Sequence, residues 1–242
     1  MLTPRYFFHD DFSELAGYFE SRPHVRRQIR RGDYLWLPGE PFARIHFILS
    51  GVAQNYIEHE NGRRRILSFH GRGTVFPGYH GRDYRIERSI VTRAISEMEV
   101  LEFTRAQFAA MFEENAALRR IQLDWYATYV NLLLYDAAHQ EFNSARIQLC
   151  NLLYLLQGGE ADPQRLPDVT QDELSDILGM SRVNLARTLA QLREEGILRT
   201  QRRRIEILDP AGLRASCSLE TLDDVILHII PFHGVWISSV HV

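Results

Sequence analysis

The sequence predicts an α+β protein in three parts: a β-barrel or sandwich, one long helix, and a helix-turn-helix followed by a small β wing. Three observations carry that prediction. Turn signals recur every few residues from about Val25 to Phe103; neither Pro nor Gly occurs after Thr104 as far as Gln157; and a capping box at Thr170 opens a helix, glycine, helix pattern.

In the first part, short apolar runs are broken at Gly32-Asp33, Pro38-Gly39-Glu40, Ser50-Gly51, Asn61-Gly62, Gly71-Arg72-Gly73 and Pro77-Gly78. Strands at such spacing read as an all-β barrel or sandwich. Asn61-Gly62 lies between runs around Val52 to Ile57 and Arg64 to Phe69, which predicts a hairpin with a type I′ turn. After Thr104, the composition shifts to Ala, Leu, Gln, Glu and Arg, and the chain becomes helical.

Between Asn115 and His139, residues Leu118, Ile121, Trp125, Thr128, Leu132, Tyr135 and His139 recur at alternating spacings of three and four. That period fits a two-stranded coiled-coil seam. It fits equally an amphipathic helix packed on its own barrel. Gln157-Gly158-Gly159 through Pro163 and Pro167 then break the helix. In Thr170-Gln171-Asp172-Glu173, the Thr hydroxyl and the Glu carboxylate are spaced to satisfy the free amides of a helix start. Leu174, Ile177 and Leu178 lead to Gly179, the turn residue, and Ser181 can cap a second helix with Leu185, Leu189 and Leu192 as its inward stripe. Arg182, Val183 and Arg187 project elsewhere. Two short strands, Gly196-Ile197-Leu198 and Arg204 to Leu208, flank Gln201-Arg202-Arg203 as a wing. The apolar end, Val225 to Val242, is broken by Pro231 and Gly234 and is too short to span a bilayer.

The 242 residues are 45% hydrophobic and 24% charged, which fits an ordinary soluble protein rather than a disordered or multi-span chain. A net charge of -3 excludes wholesale electrostatic binding to polyanions but leaves room for a local basic face. All 28 basic side chains apart from His are Arg. Cys150 and Cys217 are too few for a disulfide framework, so a reduced cytoplasmic setting is expected, with no signal peptide and no membrane partner. No resident cofactor or metal is expected. A cupin-like metal enzyme would need closely spaced His and carboxylate ligands, and no His-X-His occurs; G-x-S-x-G, H-E-x-x-H and P-loop patterns are absent too.

Over about Arg30 to Leu208 the chain resembles the bacterial transcription regulators of the CRP/FNR family, which includes the cyclic-AMP receptor protein. The resemblance rests on GEPFARIHFILSGVAQ, on ERSIVTRAISEMEV and, most specifically, on TQDELSDILGMSRVNLARTLAQLREEGIL. It implies a β-roll sensor like the cyclic-nucleotide-binding jelly roll over 1–113 and a dimerisation helix over 114–140. A winged helix-turn-helix over 141–215 and an extension of unknown role over 216–242 complete it. It also implies a homodimer on near-palindromic double-stranded DNA, RNA polymerase as partner if the protein activates, and a small-molecule effector.

The same resemblance assigns candidate residues. In nucleotide-binding members a Glu holds the ribose and an Arg-Ser pair the cyclic phosphate. Arg88-Ser89 matches the pair, but Gly78 stands at the ribose position, and the region expected to receive the base reads Asn131 to Tyr135, without the Thr-Ser pair. A small anionic, non-nucleotide effector near Gly78, Tyr79, Arg88, Ser89, Asn131 and Tyr135 follows, because guanidinium pairs with carboxylate, phenolate or phosphate. Phe76, Tyr79 and Tyr84 could wall such a pocket or simply fill a core. Cyclic-nucleotide sensing and haem sensing, the latter through His9, His46, His70 or His80, are the alternatives within the family. A ligand-binding module that never meets DNA is the alternative outside it. The DNA-contacting set is Thr170, Ser181, Arg182, Val183, Asn184, Arg187, Arg202 and Arg203. Arg182, Val183 and Arg187 stand where cyclic-AMP receptor proteins carry Arg, Glu and Arg. Arg193, Arg199 and Arg204 add to the basic surface nearby.

Overall fold

The computed structural model describes residues 4–37, 39, 43–82, 84, 86, 89–156, 170–201 and 204–222. The chain divides into two compact units, one of residues 5–134 with 175–179, the other of 135–174 and 180 onward.

The first unit is a roll of two sheets. Its elements are β1 (Phe7–Phe8), a short α1 (Ala16–Glu20), β2 (Val25–Ile29), β3 (Tyr34–Trp36), β4 (Arg44–Ser50), β5 (Ala53–Glu58), β6 (Arg64–His70), β7 (Val75–Phe76), β8 (Ile90–Ala94) and β9 (Met98–Thr104). One sheet runs β1-β6-β5-β8-β3 and the other β2-β9-β4-β7. All pairings are antiparallel except that β1 joins β6 in parallel, with Phe8 opposite His70.

Alternation along β4 and β9 buries Ile45, Phe47, Leu101 and Phe103 on one face and Ile48 and Val100 on the other. Phe19 of α1 stacks on Phe47 with ring centroids 4.7 Å apart and lies 5.9 Å from Phe103. On the face of the second sheet that also carries Ile48 and Val100, the Glu102 carboxylate accepts from Arg27 at 2.9 Å and Arg44 at 3.1 Å and lies 3.3 Å from the ring of His46.

The expected hairpin is β5–β6, but its turn is not type I′. Among the described residues other than glycine only Asp10 has positive φ, so Asn61 stays on the right-handed side while Gly62 takes φ +77°. Gly62 N donates to His59 O at 2.8 Å and His59 N to Arg63 O at 2.9 Å. This is a three-residue loop closed by a left-handed glycine, the alternative that an Asn-Gly pair also serves.

Helix α2 (Arg105–Glu114) starts at a full capping box, with Thr104 bonded to Gln107 N and Gln107 to Thr104 N. Helix α3 (Ala116–Phe142) follows after Asn115, whose Oδ1 accepts from Leu118 N at 3.1 Å.

In the second unit are the end of α3, α4 (Ala145–Leu156), part of α5 (Gln171–Leu178), α6 (Arg182–Glu194), β10 (Leu198–Gln201), β11 (Arg204–Ile207) and α7 (Pro210–Ala215). Leu149, Leu152 and Leu153 of α4 and Leu185, Leu189 and Leu192 of α6 form its core with Leu213 of α7. Residues 223–242, which hold the apolar end, lie outside the described residues.

Candidate nucleic-acid interface and effector site

The turn and second helix are built as the sequence predicts. Thr170 N donates to the Glu173 carboxylate at 2.8 Å and Glu173 N to the Thr170 hydroxyl at 3.2 Å. Gly179 makes the turn at φ +63°, a conformation that would strain any residue with a Cβ. The Ser181 hydroxyl accepts from Asn184 N at 3.3 Å and caps α6. Thr170 and Ser181 therefore spend their hydroxyls on helix starts.

With the leucine stripe buried, the first turns of α6 present Arg182, Val183 and Arg187 to solvent, and Val183 is 76% exposed. An isolated exposed valine amid polar residues contributes nothing to the core. Arg182 is braced by Asp172 at 2.9 Å, and Arg187 donates to the Asn184 amide oxygen at 2.8 Å, so both guanidinium groups are held ready rather than loose. Strands β10 and β11 pair from Leu198 opposite Ile207 to Gln201 opposite Arg204 and form the wing. Arg199 pairs with Glu206 at 2.6 Å, which reduces the free positive charge of this surface below the raw count of arginines, and Arg193 donates to the Thr200 hydroxyl. Arg202 and Arg203 lie outside the described residues.

The three-four pattern expected to be a seam between chains is a core face instead. Leu118, Ile121, Trp125, Leu132, Tyr135 and His139 are all buried within the single chain. The reason is that α3 carries two apolar stripes. Shifting the buried positions by two residues, about 200° around a helix of 3.6 residues per turn, gives Leu123, Ala127, Val130, Leu134 and Ala137. These are exposed, Leu123 and Leu134 by 69% and 67%.

The expected effector residues do not all meet. Gly78 packs directly against α3: a Cβ there would come within 2.7 Å of Trp125 Cζ3, 2.9 Å of Tyr126 Oη and 3.0 Å of Gln122 Nε2. Tyr126 donates to the Tyr79 carbonyl at 3.3 Å, while the Tyr79 ring packs 5.1 Å from Phe112 and 5.7 Å from Phe108. Ser89 and Asn131 are half-buried, and Arg88 lies outside the described residues. Tyr135, expected at the effector site, lies elsewhere. It belongs to the second unit, where its hydroxyl bonds Thr221 Oγ1 at 2.9 Å and its ring stacks on His139. It sits ten residues beyond Trp125, about 15 Å along a helix. Phe76 is core, stacked on His70 at 3.8 Å, whereas Tyr84 is exposed beside His80.

The sequence reading missed a row of buried polar groups on the inner face of the roll. Thr92, Asn55 and Ser68 stand opposite one another across β8, β5 and β6. Thr92 donates to Asn55 at 3.4 Å, Asn55 and Ser68 reach Tyr129 Oη at 3.3 and 3.4 Å, and Ser68 bonds His70 Nε2 at 2.8 Å. Burial lowers His70 to about 3, so its imidazole is neutral, and raises the Tyr129 phenol. The available signal was polar residues at inward, period-two positions of otherwise apolar strands.

Comparison with known proteins agrees with both units. The cyclic nucleotide-binding domain family matches residues 26–115, and the Crp-like helix-turn-helix domain family matches residues 148–216. The nitrogen fixation regulation protein FixK of Rhizobium meliloti is 24% identical over 199 residues, 82% of this chain and 90% of that protein. FixK of Bradyrhizobium diazoefficiens is 28% identical over 202 residues, 79% of this chain and 82% of that one. Among solved structures, FixK2 from Bradyrhizobium japonicum superposes with a TM-score of 0.69 at 19% identity, covering 81% of this chain and 98% of that one. Among the described residues no helix is long and apolar enough to cross a membrane. The members of this family regulate transcription and are not enzymes. With a β-roll domain, a long helix and a winged helix-turn-helix in family order, the chain belongs to the CRP/FNR family of DNA-binding transcription regulators.

Proposed function

We propose that the protein is an effector-responsive, cytoplasmic regulator that binds a near-palindromic operator as a homodimer. The observation that carries this reading is the exposed face of α6, where Arg182, Val183 and Arg187 stand outward over a buried leucine stripe. Arginine matches the paired acceptors of guanine, and the valine methyls suit a thymine methyl. Each half-site then keeps guanine opposite an arginine and carries A·T where a Glu at position 183 would select G·C. Asn184, half-buried at the helix start, contacts a phosphate, and Arg202 and Arg203 of the wing do the same, which positions the protein without specifying bases.

The exposed stripe from Leu123 to Ala137 supports a second copy of the chain as the partner of α3, because a row of leucine and valine at coiled-coil spacing is costly in water. Two-fold symmetry sets the recognition helices about 34 Å apart, one turn of DNA. The packing of Trp125 against Gly78 supports a non-nucleotide effector, since the space a ribose-binding Glu would occupy is filled. The effector's anionic group is held by Arg88 and Ser89, and its binding moves α3 and so the DNA-reading helices.

Selection of binding sites from random DNA, repeated with Val183→Glu, tests this reading. The substitution restores G·C at one position per half-site, with a discrimination of about 1–3 kcal/mol. An unchanged motif would mean that position 183 does not face the bases.

A further inference from the structure

The interior of the first unit holds polar atoms with no partner. Gln122 is 1% exposed, and neither its Oε1 nor its Nε2 is hydrogen-bonded; Trp125 Nε1 and His70 Nδ1, on residues 3% and 0% exposed, are unpaired too. These groups are neighbours. Gln122 and Trp125, three residues apart on one face of α3, both press on Gly78, and the Trp125 ring lies 6.2 Å from that of His70. Phe8 lies 5.4 Å from His70 and 5.7 Å from Trp125, and Phe76 covers His70.

The adjoining row of Thr92, Asn55, Ser68 and Tyr129 is fully engaged, so this interior is able to satisfy its polar groups and leaves one end of the row open. Buried donors and acceptors without partners are rare because each forfeits its hydrogen bonds to water.

We infer that Gln122, Trp125 and His70 form the inner half of the effector site and receive an uncharged, planar, amide-like group of the ligand. The inference rests on the proposed position of the effector beside Gly78 and adds the chemistry of the part that meets α3. Trp125 Nε1 donates to the ligand, Gln122 offers both a donor and an acceptor, and the rings of Phe8, Phe76 and Trp125 suit a flat body. Beside the Trp125 ring lie the His70 imidazole, which burial keeps neutral, and the stacked Tyr129, whose phenol burial also holds in its neutral form, so this end suits an uncharged group. Gly78 closes over these atoms. A ligand that parts the 76–79 turn from α3 reaches them, and in doing so moves the helix.

Calorimetry with three probes tests the inference: benzoate, benzamide and 4-carbamoylbenzoate. 4-Carbamoylbenzoate binds at least tenfold more tightly than benzoate, and Gln122→Leu or Trp125→Phe removes that advantage while benzoate affinity stays within twofold. Arg88→Ala weakens both anions and leaves benzamide unchanged. If Arg88→Ala has no effect while the Gln122 dependence persists, the anionic reading fails and this inference stands. Equal affinity for benzoate and 4-carbamoylbenzoate, no binding of any probe at millimolar concentration, or a more thermostable Gln122→Leu with unaltered probe affinities would overturn it, the last marking the open amide as a packing fault.

Discussion

Replacing Leu134 by Asp separates the two apolar faces of α3. Full burial of a leucine contributes about 1.5–3 kcal/mol, and Leu134 is 67% exposed in the single chain, so pairing with a second copy gains about 1–2 kcal/mol per side chain. A symmetric dimer carries the substitution twice, and two carboxylates meeting near the seam repel. The expected loss is at least about 2–4 kcal/mol, or about 30- to 1,000-fold in the dimer dissociation constant. Leu132, only two residues away, is 1% exposed and packs within its own chain. Leu132→Asp therefore buries an unpaired carboxylate and lowers the stability of the fold itself. Sedimentation equilibrium at micromolar concentration, with thermal melts by circular dichroism, distinguishes them: Leu134→Asp is a folded monomer that melts cooperatively, lower than wild type only by the stabilisation that pairing lends, and Leu132→Asp melts earlier still. A Leu134→Asp protein that stays dimeric, or a Leu132→Asp protein that is a well-folded monomer, would refute the assignment of the two faces.

Two further predictions concern the first unit. Glu102 is held near 2, first by its hydrogen bond with His46 and then by Arg27, against an unfolded value of 4.5. A depressed carboxylate stabilises the fold above its unfolded value and loses that contribution as the pH falls through the folded one. Urea unfolding should thus show a difference between wild type and Glu102→Gln that is present at about pH 5 and shrinks as the pH falls from 4.5 to about 2; a difference independent of pH across that window counts against the ion-pair assignment. Gly78→Glu restores the side-chain type that holds ribose in nucleotide-binding relatives, yet its Cβ alone would stand 2.7 Å from Trp125. It should lower the melting temperature without conferring cyclic-AMP binding in calorimetry, and micromolar affinity for cyclic AMP in either protein would contradict the filled-site reading.

Local chemistry was legible along the chain. Turn residues delimited the roll, the lack of Pro and Gly announced the long helix, and the Thr170 capping box, Gly179 and Ser181 located the helix-turn-helix to within a residue or two. Each of these depends on interactions spanning four residues or fewer, so sequence alone determines them. The exposed trio Arg182, Val183 and Arg187 was equally readable, because the leucine stripe fixes which side of α6 turns inward.

Tertiary structure decided the rest. Periodicity in α3 reveals an apolar stripe but not what covers it, and here two stripes share one helix: the one rich in aromatic residues is taken by the chain's own core, and the smaller aliphatic one is left outward. The Asn61-Gly62 pair allowed two turn geometries, and pairing between β5 and β6 selected one. Tyr135 passed from the expected effector site to the second unit, since neighbours in sequence along a 27-residue helix are far apart in space. The polar row from Thr92 to His70 is assembled from three strands and closed by Tyr129. Polar residues at inward strand positions were visible in the sequence, but not that they join into one row, because its members become neighbours only when sheet register and helix docking bring them together.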